Sequence, residues 1–180
     1  MEIKVKDIAP KPFPHLVIPH FLPQGKIREL LSSLKKEQFA LKESDLFTMW
    51  QTSELKHSPQ FSSLVEIFIS QPWKEKMERL FGIKISSSID LFGTCYRPTN
   101  HLLPHDDQLE ERKIAFILFL NTLSEKQGGA LQLFGNNRVV KKIYPEQGSL
   151  ALFEVSARSI HSIEEMYTGE RWALTGWFHG

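Results

Sequence analysis

A single cysteine, Cys95, among 180 residues rules out an internal disulfide, Cys-x-x-Cys redox chemistry and any zinc site built on two or more cysteines. Excess charge is missing as well. Twenty-two Lys and Arg face 21 Asp and Glu, a net charge of +1, which leaves no surplus for gripping a phosphate backbone and argues against nucleic acid as a direct partner. The longest apolar run, Ile114 to Leu120, is too short to cross a bilayer and the right length for a buried strand, so no membrane partner is expected. The first twenty residues carry Glu2, Lys4, Lys6, Asp7 and Lys11 with prolines at 10, 12, 14 and 19, in place of the apolar stretch of a secretory signal. Together with the lone cysteine this points to the cytoplasm, or the nucleus of a eukaryote. Repeats of solenoid length and low-complexity linkers are also lacking. What is present is 41% hydrophobic and 24% charged residues, the make-up of one globular domain spanning 1–180. A chain this long buries roughly 70% of the surface its unfolded form exposes and needs no structural metal, so any metal would be functional.

The pattern divides the chain into two halves. Residues 1–83 read as mainly helical support. Ile27, Leu30, Leu31 and Leu34 recur at helical spacing after Pro23, as do Phe61, Leu64, Val65, Phe68 and Ile69 after Pro59. A third helix runs from Trp73 to a capping Gly82. Between the first two, residues 42 to 58 read as a loop that could act as a lid, with Asp45, Trp50 and Gln51 interrupting the helical pattern. Trp50 there suits stacking on a substrate ring or local packing. From about residue 84 short β-type runs take over: Ile85 to Tyr96, Ile114 to Leu120, Ala130 to Phe134, Arg138 to Tyr144, Ser149 to Val155 and Ala173 to Phe178, with Gly135-Asn136-Asn137 as a hairpin turn. Short strands at this spacing behind helices suggest a mainly β, α+β chain: a sandwich or jelly-roll barrel with N-terminal helices packed on one face, or a more open α+β sheet.

Of seven histidines, His15, His20 and His57 lie beside prolines or in polar stretches and need no functional role. His101 is ambiguous, and His179 suits packing at the end of the last strand. His105-Asp106-Asp107 is different. On extended backbone residues two apart share a side, so His105 and Asp107 can face one metal ion while Asp106 faces away. His161 follows the strand ending at Val155 and adds a second imidazole. Two histidines and a carboxylate form the triad that holds Fe(II) with open positions for ligands. Zinc competes, although the His-Glu-x-x-His of many catalytic zinc sites is absent. Arg171 supplies a guanidinium fork suited to the far carboxylate of 2-oxoglutarate, and Thr175 falls on the same strand face. The alternative is a surface pair with Glu170 or Glu165.

The segments Cys95-Tyr96-Arg97-Pro98, Leu102-Leu103-Pro104-His105-Asp106-Asp107, Gly128-Gly129-Ala130-Leu131, Phe153-Glu154-Val155, Ile160 to Glu165 and Arg171 through Gly176-Trp177-Phe178-His179-Gly180 together resemble the Fe(II)- and 2-oxoglutarate-dependent prolyl hydroxylase family. They are most similar to the catalytic domain of the eukaryotic ribosomal prolyl hydroxylases, well over 85–180 and loosely before. The resemblance implies a double-stranded β-helix core over 84–180. It puts His105, Asp107 and His161 on iron, Arg171 on 2-oxoglutarate, and Tyr96 in the cosubstrate pocket as a hydrogen-bond donor. Tyr96 also reads as an ordinary core tyrosine, and Gly128-Gly129 as a close backbone approach or a plain loop pair. Asp106, Glu164 and Glu165 read as supporting, substrate-contacting or merely solvated residues. The implied reaction consumes dioxygen, with ascorbate in support, and hydroxylates a proline in a protein or peptide, with a ribosomal protein as one candidate partner.

Two departures stand out. Phe119 occupies a position where relatives place a cosubstrate-binding tyrosine, so 2-oxoglutarate binding would weaken or lean on Thr175. The chain ends at Gly180, without the second β-helix domain of the ribosomal enzymes, which suggests a different protein substrate. Other readings are an oxygenase acting on another side chain or a small metabolite, and a non-catalytic binding module of the same fold.

Overall fold

A computed structural model describes residues 4, 7–109 and 111–180; Glu2 and Lys6 of the charged start lie outside them. The strands are β1 (His15–Ile18), β2 (Phe39–Ser44), β3 (Phe47–Thr52), β4 (Ile89–Tyr96), β5 (His101–His105), β6 (Arg112–Phe119), β7 (Leu131–Gly135), β8 (Arg138–Ile143), β9 (Leu150–Glu154), β10 (His161–Ile163) and β11 (Arg171–His179). The helices are α1 (Gln24–Leu34), α2 (Ser62–Ile69) and α3 (Gln71–Phe81). The antiparallel sheet runs β1-β9-β6-β11-β4-β3-β5-β10-β7-β8, with β2 paired to β3. It curls on itself as a jelly-roll, the double-stranded β-helix, with the helices on one face.

Alternation along the central strands creates two cores. Ile114, Phe116 and Leu118 of β6, Leu150 and Leu152 of β9, and Trp172, Leu174 and Phe178 of β11 pack with Ile27, Leu30, Leu34, Phe68 and Met77 of the helices. The intervening residues Ala115, Ile117, Phe119, Ala151, Phe153 and Ala173 face the barrel interior with Tyr96, Leu131 and Ile163. Period-two alternation with both faces covered explains why these strands read as continuous apolar runs.

The helices form where the sequence places them. Ser70 caps α3 by accepting the Trp73 N–H, and Gly82 ends it in the left-handed region at φ 70°. Asn136 and Asn137 at φ 53° and 60° make the two-residue turn between β7 and β8.

The first half is less helical than its pattern suggests. His15–Ile18 is a strand paired to β9, and residues 42–58 are largely no loop, because Phe39–Thr52 is a hairpin turning at Asp45-Leu46. Phe-Thr-Met-Trp-Gln-Thr is rich in aromatic and branched residues that suit a strand, and β3 bonds to both β4 and β5. The fourth strand starts at Ile89 rather than Ile85. No helix among the described residues is long and apolar enough to cross a membrane.

Candidate active site

His105 ends β5, and His161 opens β10 directly opposite it in the antiparallel register. The ladder thus brings the two imidazoles together, their ring centroids 4.2 Å apart and their planes tilted by 51°. His105 therefore belongs to a strand and not to a polar loop. Asp107 lies beyond the strand end, where its φ of 59° is left-handed, so a turn and not extended alternation returns its carboxylate to His105. Asp106 accepts the Gln108 N–H and shapes that turn.

Asp107 Oδ1 is 3.1 Å from His105 Nε2 and Oδ2 is 3.3 Å from His161 Nε2. The three candidate ligand atoms lie within 4.8 Å of one another. His105 Nδ1 contacts the Leu103 carbonyl and His161 Nδ1 the Ser159 carbonyl, both at 2.9 Å. A carbonyl only accepts, so each Nδ1 carries a proton and each Nε2 faces the carboxylate, donating to it when protonated and standing beside it as a second acceptor when not. Such a convergence of acceptors fits a cation. Burial opposes charging His105, but the adjacent Asp107 carboxylate outweighs it and raises the pKa. Burial likewise disfavours ionised Asp107, yet hydrogen bonds from His105 and His161 hold its pKa well below the usual carboxylate range.

The triad opens into a cavity of about 230 Å³. β11 alternates into it, so Arg171, Thr175 and Trp177 share its wall. Arg171 is 1% exposed, and its Nε and Nη2 have no partner among the described residues. Burial lowers its pKa to about 10, which leaves it charged at neutral pH. Its guanidinium sits 5.3 Å from the Tyr96 ring and 5.2 Å from the Phe119 ring. The surface-pair alternative fails, because Glu170 binds Arg97 and the Trp172 indole instead. A buried cation with two unsatisfied donors is costly alone and fits the carboxylate of a small dianion.

Tyr96 lines the cavity but is separated from β5 by β3, and its hydroxyl contacts Met49 Sδ at 3.0 Å. Thr175 is half-buried on the wall. Gly128 and Gly129 have φ of 77° and 74°. A Cβ on Gly128 would strike the Glu165 carbonyl, and one on Gly129 would crowd Met166 and Arg171 Cδ, so the pair is a close approach behind the arginine. Glu165 is exposed, and Glu164 pairs with Lys142. His15 is buried and satisfied, Nδ1 on the Phe13 carbonyl and Nε2 on Lys141. His179 packs 3.1 Å from Asp90. Trp50 lies under Arg97 and is not part of the cavity wall, whereas Phe47, Met49 and Gln51 on the alternate phase of β3 are.

Two residues at the site had no sequence-based role. Trp177 Nε1 donates to Asp107 Oδ2 at 3.0 Å, and Arg112 lies 3.4 Å over the Trp177 ring. The phase of β11 already placed Trp177 on the Arg171 face, which was the available signal. Arg112 carried none.

Two imidazoles and a carboxylate converging as a candidate cation site, with a buried guanidinium in the same jelly-roll cavity, make a donor set suited to Fe(II) and a small dicarboxylate. Residues 91–179 match the 2OG-Fe(II) oxygenase superfamily and form a domain of that superfamily. Among curated proteins, prolyl 3-hydroxylase OGFOD1 of Mus musculus is 34% identical over 184 residues, covering 94% of this chain and 33% of that protein. Prolyl 3-hydroxylase sudestada1 of Drosophila melanogaster is 31% identical over 190 residues, covering 94% and 35%. The chain thus spans about a third of the length of these relatives. A Pseudomonas putida prolyl-4-hydroxylase structure superposes with a TM-score of 0.81 at 18% identity, covering 97% of this chain and 96% of that one.

Proposed function

We propose that this chain is a 2-oxoglutarate-dependent dioxygenase that hydroxylates a prolyl residue of a protein, because its relatives carry the name prolyl 3-hydroxylase, with a ribosomal protein, implied by the sequence resemblance, as the first candidate substrate. The observation that carries the reading is the buried Arg171 fork, its Nε and Nη2 without a partner among the described residues, in the same cavity as the His105, Asp107 and His161 donors. Residues 84–180 serve as the catalytic core and 1–83 as support, in the cytoplasm.

In this reading His105, Asp107 and His161 hold the iron, each imidazole oriented by its Nδ1–H on a backbone carbonyl. Trp177 occupies one Asp107 oxygen with its indole N–H, which favours metal contact through the other. Arg171 takes the far carboxylate of 2-oxoglutarate, and Thr175 adds a hydroxyl on the same wall. Iron and 2-oxoglutarate held there would supply oxidative chemistry in which 2-oxoglutarate loses carbon dioxide and becomes succinate with one atom of dioxygen while the other atom becomes the hydroxyl on the substrate, with ascorbate in support. The apolar lining of Phe47, Leu102, Phe153 and Ile163 excludes water from that chemistry.

The test is succinate production from 2-oxoglutarate with Fe(II), in air and anaerobically, for wild type and His161→Ala, with and without prolyl peptides from a ribosomal small-subunit protein. Oxygen-dependent turnover stimulated by peptide and lost in the variant is expected. Turnover indifferent to every prolyl peptide would move the substrate to another side chain or a small metabolite, and tight binding of iron and 2-oxoglutarate without turnover would leave a binding module.

A further inference from the structure

The two ends of the sheet, β1 and β8, come back to each other without a ladder between them among the described residues. A side-chain contact bridges them instead: the Lys141 ammonium of β8 donates to His15 Nε2 of β1 at 3.0 Å. His15 is 2% exposed and spends its Nδ1–H on the Phe13 carbonyl, so its Nε2 is left to accept and anchors the lysine. An ammonium has three donors, and two of them remain for the surface. Beside this contact the seam opens as a groove of about 760 Å³. Lys11 and Pro12, from the stretch that Ala9 folds back onto His15, line it with Val140 and Lys141 of β8 and with Arg158 and Ile160 of the turn before β10.

Charge and backbone together define what fits. Lys11, Lys141 and Arg158 are exposed, and among the described residues no carboxylate lines the groove or pairs with any of the three. β8 is also an open edge, paired to β7 alone, with Val139 and Val140 40% and 56% exposed. Val140 is the extra residue of a bulge between the Val139–Phe134 and Lys141–Leu133 pairs, which lets the consecutive Val140 and Lys141 both line the groove. An unpaired edge recognises another extended backbone. A second copy of β8 is a poor match, because Arg138 and Lys141 would meet cations in turn. A net charge of +1 likewise gives no field for a polyphosphate chain.

We propose that this seam docks an acidic, extended segment of a partner protein, whose backbone pairs along β8 and whose alternate carboxylates meet Lys11, Lys141 and Arg158. The groove shares no lining residue with the active-site cavity, so the inference stands apart from the oxygenase reading. Arg158 and Ile160 nevertheless flank the Ser159 carbonyl that orients His161, so a protein in the seam is held beside the triad.

The experiment follows the fluorescence anisotropy of a labelled, end-blocked hexapeptide of alternating Glu and Val, the length of β8, titrated with the full chain at low salt. Comparison probes are the same peptide N-methylated at every residue, its counterpart with Lys for Glu, and oligouridylate. Variants are Lys141→Glu, Arg158→Glu and, as a charge-matched control beyond the end of α1, Lys36→Glu, each checked by circular dichroism. Arg158 and Lys36 are exposed, so their comparison decides the matter even where Lys141→Glu loses the His15 contact and the fold with it. Each groove reversal should raise the Kd roughly fivefold or more, Lys36→Glu should leave it unchanged, and the N-methylated and Lys peptides should bind roughly tenfold more weakly. Absence of saturable binding at millimolar peptide overturns the proposal, as does equal weakening by Lys36→Glu and Arg158→Glu. An N-methylated peptide that binds as well as its parent removes the edge-strand pairing, and oligouridylate that binds more tightly than the peptide removes the protein partner; either overturns it too.

Discussion

Arg171→Met separates what the arginine does for binding from what it does for folding, because the structure gives the two effects opposite signs. The side chain is 1% exposed, with Nε and Nη2 unpartnered and aromatic rings on both sides. In the ligand-free protein it is a buried cation facing no carboxylate, so a methionine of similar length should leave stability unchanged or raise it. With 2-oxoglutarate bound, the same substitution strands a buried carboxylate. Breaking a buried ion pair costs about 3–5 kcal/mol, which at 1.4 kcal/mol per tenfold is a rise in Kd of roughly two to three and a half orders of magnitude. Anaerobic calorimetric titration of 2-oxoglutarate with Mn(II) in place of Fe(II) reads the binding, and denaturant melts of the ligand-free protein read the stability. A variant that binds 2-oxoglutarate normally would refute the assignment. One that loses stability and affinity together would show that the arginine is structural.

The remaining predictions use other parts of the same site and core. Phe119→Tyr puts a hydroxyl on the ring beside Arg171, and a hydrogen bond to a charged group is worth about 1.5 kcal/mol or more, so the Kd for 2-oxoglutarate should fall about tenfold; an unchanged Kd would mean that the ring edge does not reach the ligand. Gly128→Ala forces a left-handed alanine with its methyl against the Glu165 carbonyl; a loss of about 3 kcal/mol, a Tm fall of roughly 6–12 °C, is expected by calorimetry. Burial holds the His15 pKa below its ordinary value, with Lys141 adding to the effect. The unfolded chain protonates this imidazole below about pH 6.5 while the native one resists, so its contribution to stability is present above that pH and is lost as pH falls. Denaturant melts at about pH 7.5 and 5 should show a steeper loss for wild type than for His15→Gln, and parallel losses would contradict the burial argument. Chelation, and the His105→Ala/Asp107→Ala double substitution, should leave the circular dichroism spectrum unchanged, because both hydrophobic cores are complete without an ion; unfolding on chelation would mark the metal as structural.

The triad and the arginine were legible in the sequence because each is a rare residue type at a spacing with few other uses, and because β11 alternates with a strict period of two. The six runs expected as strands from residue 84 onward were legible through alternation and bounding turn residues, with the first starting later, at Ile89. β2 and β3 were not, since Asp45 and Gln51 break a helical pattern without announcing a turn, and the pairing that anchors β3, to which β2 is paired in turn, comes from β4 and β5, with partners such as Cys95 for Trp50 and Leu102 for Phe47 far along the chain. The three-residue β10 and the end of β5 were hidden by length: a strand that short has no period to detect, only a register, and register is a property of the partner. The Asp107 geometry shows the limit most sharply. Same-side placement with His105 followed from an extended backbone, and the carboxylate arrives beside the imidazole by a left-handed turn instead.

β3 hydrogen-bonds through Trp50 and Gln51 to β4, which ends at Tyr96, and through Phe47 and Thr48 to β5, which ends at His105. The segment between Tyr96 and His101 belongs to neither strand, so β3 acts as the splint that sets the span from Tyr96 to His105 across the cavity wall. The hairpin tip at Leu46 stands at the cavity wall on the far end of that splint. Pressure on the tip, or its truncation, therefore alters the distance between Tyr96 and His105, neither of which it carries, and in the proposed reading a graft of a different hairpin would retune cosubstrate and metal affinity together.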